Sequence, residues 1–151
     1  NVHDIEFADL NQIVNETLPA LVALREKGVV GHVGITDLQL ENLKWVIDHS
    51  PIGTVESILN FCHYCLCDDK LVDFLDYFES KGIGVINASP LSMGLLSERG
   101  VPAWHPAPKP AVKQWNTAKP RTVRLKNWLC SSLSAIPVLP PPCSVQPTRR
   151  M

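Results

Sequence analysis

The feature that most restricts what this chain can fold into is an alternation of two hydrophobic periods. From Gln12 to Pro90, stretches with helical spacing take turns with short apolar runs, joined by loops of ordinary length. This pattern predicts βα units built on a parallel sheet, in the order α-β-α-β-α-β.

The first helix carries Val14, Leu18, Leu21 and Val22 at i, i+4, i+7, i+8, with Pro19 starting or kinking its main part and Gly28 as a left-handed C-cap. Val29 to Ile35 reads as a buried strand, and Asp37 is placed to cap a helix whose Leu40, Leu43 and Ile47 share a face. Val55 to Phe61 is the next strand. Leu71, Phe74, Leu75 and Phe78 define a third helix that Gly82 closes, and Ile83 to Ala88 forms the last strand, stopped by Pro90. Periodicity alone leaves a doubly wound sheet and part of a barrel equally open.

A net charge of −1 over 151 residues conceals two regions of different composition. Residues 1–100 hold all 15 acids and 6 of the 14 bases, for −9; residues 101–151 hold no acid and 8 bases, for +8, together with 10 of the 13 prolines. So abrupt a change sets a boundary between about Gly100 and Lys109. No apolar run is long enough to span a bilayer, and the amino end lacks the basic flank and apolar stretch of a signal peptide, so a cytoplasmic location is expected. Five cysteines without framework spacing are expected to be reduced thiols. The segment Cys62-His63-Tyr64-Cys65-Leu66-Cys67 offers sulfur and imidazole, but no second ligand pair lies at zinc-site spacing, so no metal is expected.

Each predicted strand ends in small polar residues: Gly34-Ile35-Thr36-Asp37, Asn60-Phe61-Cys62-His63 and Asn87-Ala88-Ser89-Pro90-Leu91. In parallel α/β folds these carboxyl ends carry the chemistry. Val33-Gly34-Ile35-Thr36 resembles the "iGiSN" strand of the aldo-keto reductases, and Ala88 to Leu96 resembles their "ySPLgxGlL" segment. His3-Asp4-Ile5-Glu6-Phe7, Asn60 to Tyr64 and Trp104-His105-Pro106 are similar to the sugar dehydrogenases of that family. The resemblance covers residues 1 to about 108.

It implies a fold class of α/β type: a partial (β/α)8 TIM barrel, the second half with about three βα units, followed by a disordered tail. It implies NAD, with NADP possible, as cofactor, and oxidation of a small-molecule sugar. His3 matches the family histidine that orients substrate beside an acid/base tyrosine. The aspartate, tyrosine and lysine of that tetrad belong to sequence that would precede Asn1, so the chain alone is expected to be inactive. Thr36 and Asp37 match the Ser-Asn pair that holds the nicotinamide carboxamide. Asn60 or Phe61 corresponds to the glutamine region. Ser89, Leu91, Met93 and Gly94 match the loop that meets the pyrophosphate. Ala88 departs from the family tyrosine that stacks on the nicotinamide, a role Phe61 could take.

Beyond Trp104-His105-Pro106 the family pattern is lost in the given frame. Read from the third base of each codon, Lys126 to Ile136 can spell the family's Leu-Ala-Leu-Gln-Phe helix. Trp115 before Asn116 then forces Glu, and Asn127 before Trp128 forces Leu. Residues from about Lys109 or Val112 onward therefore read as a product of a shifted frame, splice or gene-model error. A second functional class remains: a non-catalytic interaction protein using the basic tail and Leu139-Pro140-Pro141-Pro142. A flavodoxin-like domain would want a phosphate loop after its first strand, and none is visible. No feature points to a nucleic-acid or membrane partner, and none specifies an oligomeric state.

Overall fold

The computed structural model describes residues 1–97, 99–110 and 112–113. Of the basic, Pro-rich tail expected to be disordered from residue 109 onward, Lys109, Pro110, Val112 and Lys113 are described, with Val112 N–H donating to Pro108 O at 3.2 Å, and residues 114–151 lie outside the described residues.

Three parallel strands, β1 (Gly34–Asp37), β2 (Ser57–Phe61) and β3 (Gly84–Ala88), stand side by side in chain order. Their register pairs Thr36 with Leu59, Asp37 with Asn60, Leu59 with Ile86 and Phe61 with Ala88. The first helix is built from α1 (Leu10–Gln12), a π-helical turn Ile13–Thr17 and α2 (Leu18–Glu26) in direct succession. Pro19 supplies no N–H, and the wide turn falls just before it, with Leu18 N–H reaching back to Ile13 O. α3 (Leu40–Asp48) connects β1 to β2, and α4 (Val72–Ser80) connects β2 to β3.

The expected apolar faces are the ones that pack. Leu40, Leu43, Val46 and Ile47 of α3 are buried, as are Leu71 and Phe78 at α4, against Ile35 and Ile58 of the sheet. Phe78 meets Tyr77 edge-on at 5.5 Å between ring centres, and the Tyr77 hydroxyl donates to Asp48 Oδ1 at 2.7 Å, tying α4 to α3. The Lys44 ammonium and that phenol hold the Asp48 carboxyl below its ordinary range.

The first strand begins later than its sequence suggests. Gly28 takes φ +70° and donates to Arg25 O, while Val29 N–H closes a further bond to Leu24 O at 3.0 Å, a Schellman-type ending that draws Val29 out of the sheet. Val29 is exposed, and so are Gly31 and His32. The chain joins the core only at Val33, whose N–H donates to Glu56 Oε2 at 2.9 Å. The same oxygen receives Arg25 Nη1 at 2.8 Å, and Arg25 also donates to Gly53 O, so one carboxylate joins α2, β1 and β2 at the amino end of the sheet. Burial alone would push the Glu56 carboxyl up, but the Val33 N–H, Arg25 and His32 outweigh it and hold it low.

Gly34 sits where no side chain fits. A Cβ there would stand 2.8 Å from Ser57 O and closer still to the Ser57 hydroxyl and the Asn1 amide oxygen.

Candidate functional site

The opposite, carboxyl end of the sheet forms a cleft of about 500 Å³ lined by residues from four separate segments, including His3, Glu6, Thr36, Asp37, Phe61 and Ala88. The first segment enters as a one-residue parallel strand: Val2 N–H donates to Gly34 O at 2.8 Å and Thr36 N–H donates to Val2 O at 2.9 Å. Asp4 then turns in the left-handed region at φ 52°, and Ile5–Phe7 forms a 3-10 turn anchored by fully buried Ile5.

That turn delivers its polar groups to the end of β1. Asp4 N–H donates to Thr36 Oγ1 at 2.8 Å, so the buried hydroxyl has its oxygen fixed and its hydrogen free to donate elsewhere. His3 is 74% exposed in its side chain, and its Nδ1 lies 2.8 Å from Asp4 Oδ1. Asp37 is only 2% exposed. Its Oδ1 accepts from Gln39 N–H at 2.6 Å, an Asx turn leading into α3 rather than a helix cap, while its Oδ2 is buried with no hydrogen-bond partner.

The middle strand separates its residues by parity. Ile58 and Asn60 are buried on the helix side, whereas Leu59 and Phe61 line the cleft. Asn60 spends its side chain on the fold: Nδ2 donates to Ile86 O at 3.2 Å and Oδ1 accepts from His63 N–H at 3.3 Å. Of Asn60 and Phe61 it is therefore Phe61 that β2 turns toward the cleft, beside its register partner Ala88.

Ser89, Leu91, Met93 and Gly94 follow β3 but do not line this cleft. They form a tight loop in which Ser89, Ser92 and Met93 all have positive φ, near 50°, and Ser92 N–H donates to Ser89 O at 2.8 Å. Gly94 N–H is taken by Leu91 O at 3.2 Å. His105 braces the loop from the Trp-His-Pro segment. Its Nδ1 accepts from Ala107 N–H, so its ring hydrogen sits on Nε2 and donates to Ser92 O at 2.9 Å. Sequence reasoning treated His105 as part of a motif and missed this role.

His63 stands in the strand-end motif and in the Cys-His cluster of the sequence, and neither shows its contacts. Its Nε2 lies 2.6 Å from Leu38 O and its Nδ1 3.1 Å from Asp68 Oδ2, linking the loops after β1 and β2. Burial pushes both the Cys62 and the Cys67 thiols up. Among the described residues no group of His, Cys, Asp and Glu is arranged to hold a metal ion, and no helix is long and apolar enough to cross a membrane.

Comparison with known proteins places this geometry in context. The chain is 53% identical over 116 residues to L-galactose dehydrogenase of Arabidopsis thaliana, covering 77% of this chain and 36% of that protein. It is 32% identical over 112 residues to D-arabinose 1-dehydrogenase of Saccharomyces cerevisiae, covering 70% and 33%. An uncharacterized oxidoreductase of Schizosaccharomyces pombe is 29% identical over 80 residues, covering 53% and 24%. The chain thus spans about a third of the length of the first two relatives. The profile of the aldo/keto reductase family matches residues 1–135, past the compositional boundary near Lys109. With its parallel βα units as an arc of a TIM barrel, the chain belongs to the aldo/keto reductase family.

Proposed function

We propose that the chain supplies the substrate-orienting histidine and the nicotinamide-facing strand ends of an NAD-dependent oxidoreductase that oxidises L-galactose to L-galactono-1,4-lactone, a step toward ascorbate, in the cytoplasm. Both similar proteins named for a substrate are dehydrogenases of aldoses, which supports a sugar substrate. The observation that carries the cofactor assignment is the buried, unpartnered Asp37 Oδ2 beside the Thr36 hydroxyl in the cleft. A primary carboxamide has one carbonyl oxygen and an NH2 group. The hydrogen of Thr36 can donate to the first and Asp37 Oδ2 can accept from the second, so the residues fit the nicotinamide end.

When bound, a nicotinamide dinucleotide supplies the hydride acceptor. Phe61 and Ala88 give an apolar wall, His3 holds the sugar oxygen from the open side, and Ser89, Leu91, Met93 and Gly94 hold the pyrophosphate. Asn60 acts indirectly, by fixing β2 against β3. NADP remains the second candidate cofactor. The family's acid/base tyrosine has no counterpart in these 151 residues, so the chain by itself does not turn over. We place the end of the oxidoreductase domain near residue 108 and read the basic tail as a separate segment in a shifted frame.

Purified chain incubated with L-galactose and NAD is expected to form no NADH above an enzyme-free blank; measurable turnover would refute the division of roles. In an enzyme carrying the whole barrel, His3→Ala should lower turnover and leave cofactor affinity nearly unchanged, whereas Ser89→Ala should weaken cofactor binding. Both changing affinity alone would overturn the assignments.

A further inference from the structure

One acid in the cleft has no part in the function above. Glu6 lines the same cleft as Asp37, and its Oε2 is buried without a hydrogen-bond partner, as Asp37 Oδ2 is. The backbone gives neither group room to withdraw. Ile5 is locked in the core, Asp4 N–H is tied to Thr36 Oγ1, and Asp37 is held at its other oxygen by Gln39 N–H.

Both carboxyls belong to the lining of one cleft, each with a buried and unpartnered oxygen, yet two ionised carboxylates have no hydrogen to share. A buried anionic oxygen without a donor is costly, and two facing each other are costlier. One proton removes both problems. Asp37 already accepts an N–H bond at its other oxygen, so it takes the acceptor's part and Glu6 the donor's. Burial pushes the Glu6 carboxyl up against the pull of its own backbone N–H, and the charges of Asp37 and Asp4 push it further. The nearby base, His3, is turned to Asp4 Oδ1 and leaves the pair to itself.

We propose that Glu6 is a positioning residue: a neutral acid that donates its hydrogen to Asp37 and fixes that carboxylate at the edge of the cleft, leaving a lone pair to accept an N–H. The last clause rests on the cofactor reading above; the shared proton does not.

Three measurements on the full chain separate the two. In a sample with glutamate carboxyls labelled with carbon-13, Glu6 should titrate above the ordinary glutamate range, and Asp37→Asn should bring it back toward that range. Folding stability should fall as pH rises through the Glu6 transition, because the folded state binds that proton more tightly than the unfolded chain, and Glu6→Gln should remove this fall. NADH affinity should weaken over the same pH range, stay constant in Glu6→Gln, whose amide still donates, and drop about tenfold in Glu6→Ala. Glu6 titrating within the ordinary glutamate range, or a fall in stability that persists in Glu6→Gln, overturns the proposal. If both carboxyl tests succeed while NADH binds to no variant at any pH, the shared proton stands and the cofactor reading fails.

Discussion

The two faces of the same three strands differ in how far their packing is complete. On the helix side Ile35, Ile58, Leu43, Val46 and Phe78 are all but inaccessible to solvent, because each βα unit folds its own helix back onto its own strands. On the inner side Leu59 and Phe61 are only half-buried, and Ile86 is 50% exposed. A strand's alternation sends neighbouring residues to these two faces, so the contrast is drawn one residue at a time. Stability in this arc is local to the outer layer, whereas the cleft opens at the carboxyl end of the inner one.

The largest expected effect follows from the outer layer. Phe78→Ala should cost about 3–5 kcal/mol in chemical denaturation, while Ile86→Ala on the open face should cost less than about 1 kcal/mol. Equal losses would break the distinction between faces. Next comes Gly34→Ala, which drives a methyl into Ser57 O and should cost about 1–3 kcal/mol; an unchanged midpoint would mean that β1 and β2 are not held in this register.

A smaller effect belongs to Glu56, at the amino end of the sheet. Its carboxyl is held low in the fold, so its contribution is present above the ordinary glutamate range and is lost as pH falls through its lowered value. Glu56→Gln should therefore reduce stability near neutral pH and flatten its acid dependence, opposite in sign to Glu6→Gln at the other end. Parallel pH profiles for the two variants would contradict the assigned environments. The smallest effect is His3→Ala, expected within about 0.5 kcal/mol in the same assay, because this side chain is exposed and its one ion-pair contact is with the neighbouring, half-exposed Asp4.

The helix faces were legible because Leu40, Leu43 and Ile47, and Leu71 and Phe78, repeat at a spacing that only one side of a helix satisfies, and all five are buried. The start of β1 was not, since Val29 and Val30 read as strand while Gly28 lets the helix end reach forward and claim Val29 N–H. Between Asn60 and Phe61 the sequence could not choose: Ile58 and Leu59 stand side by side, so each face carries an apolar residue, and the parity shows only once Ile58 is seen against the helices. That Glu6 and Asp37 line one cleft was beyond any periodicity. It depends on a left-handed Asp4 and a single bridge at Val2 that fold the amino end over β1.

On the function proposed above, the strand-end cleft, rather than the helix layer, receives the nicotinamide end of the cofactor. Amide chemical shifts of the isotopically labelled chain, followed during titration with NADH, test it most directly. Changes are expected at His3, Thr36, Asp37, Phe61 and Ala88, with the amides of Leu43, Val46 and Phe78 unmoved; changes centred on those helix residues, or none at the strand ends at saturating NADH, would overturn this placement.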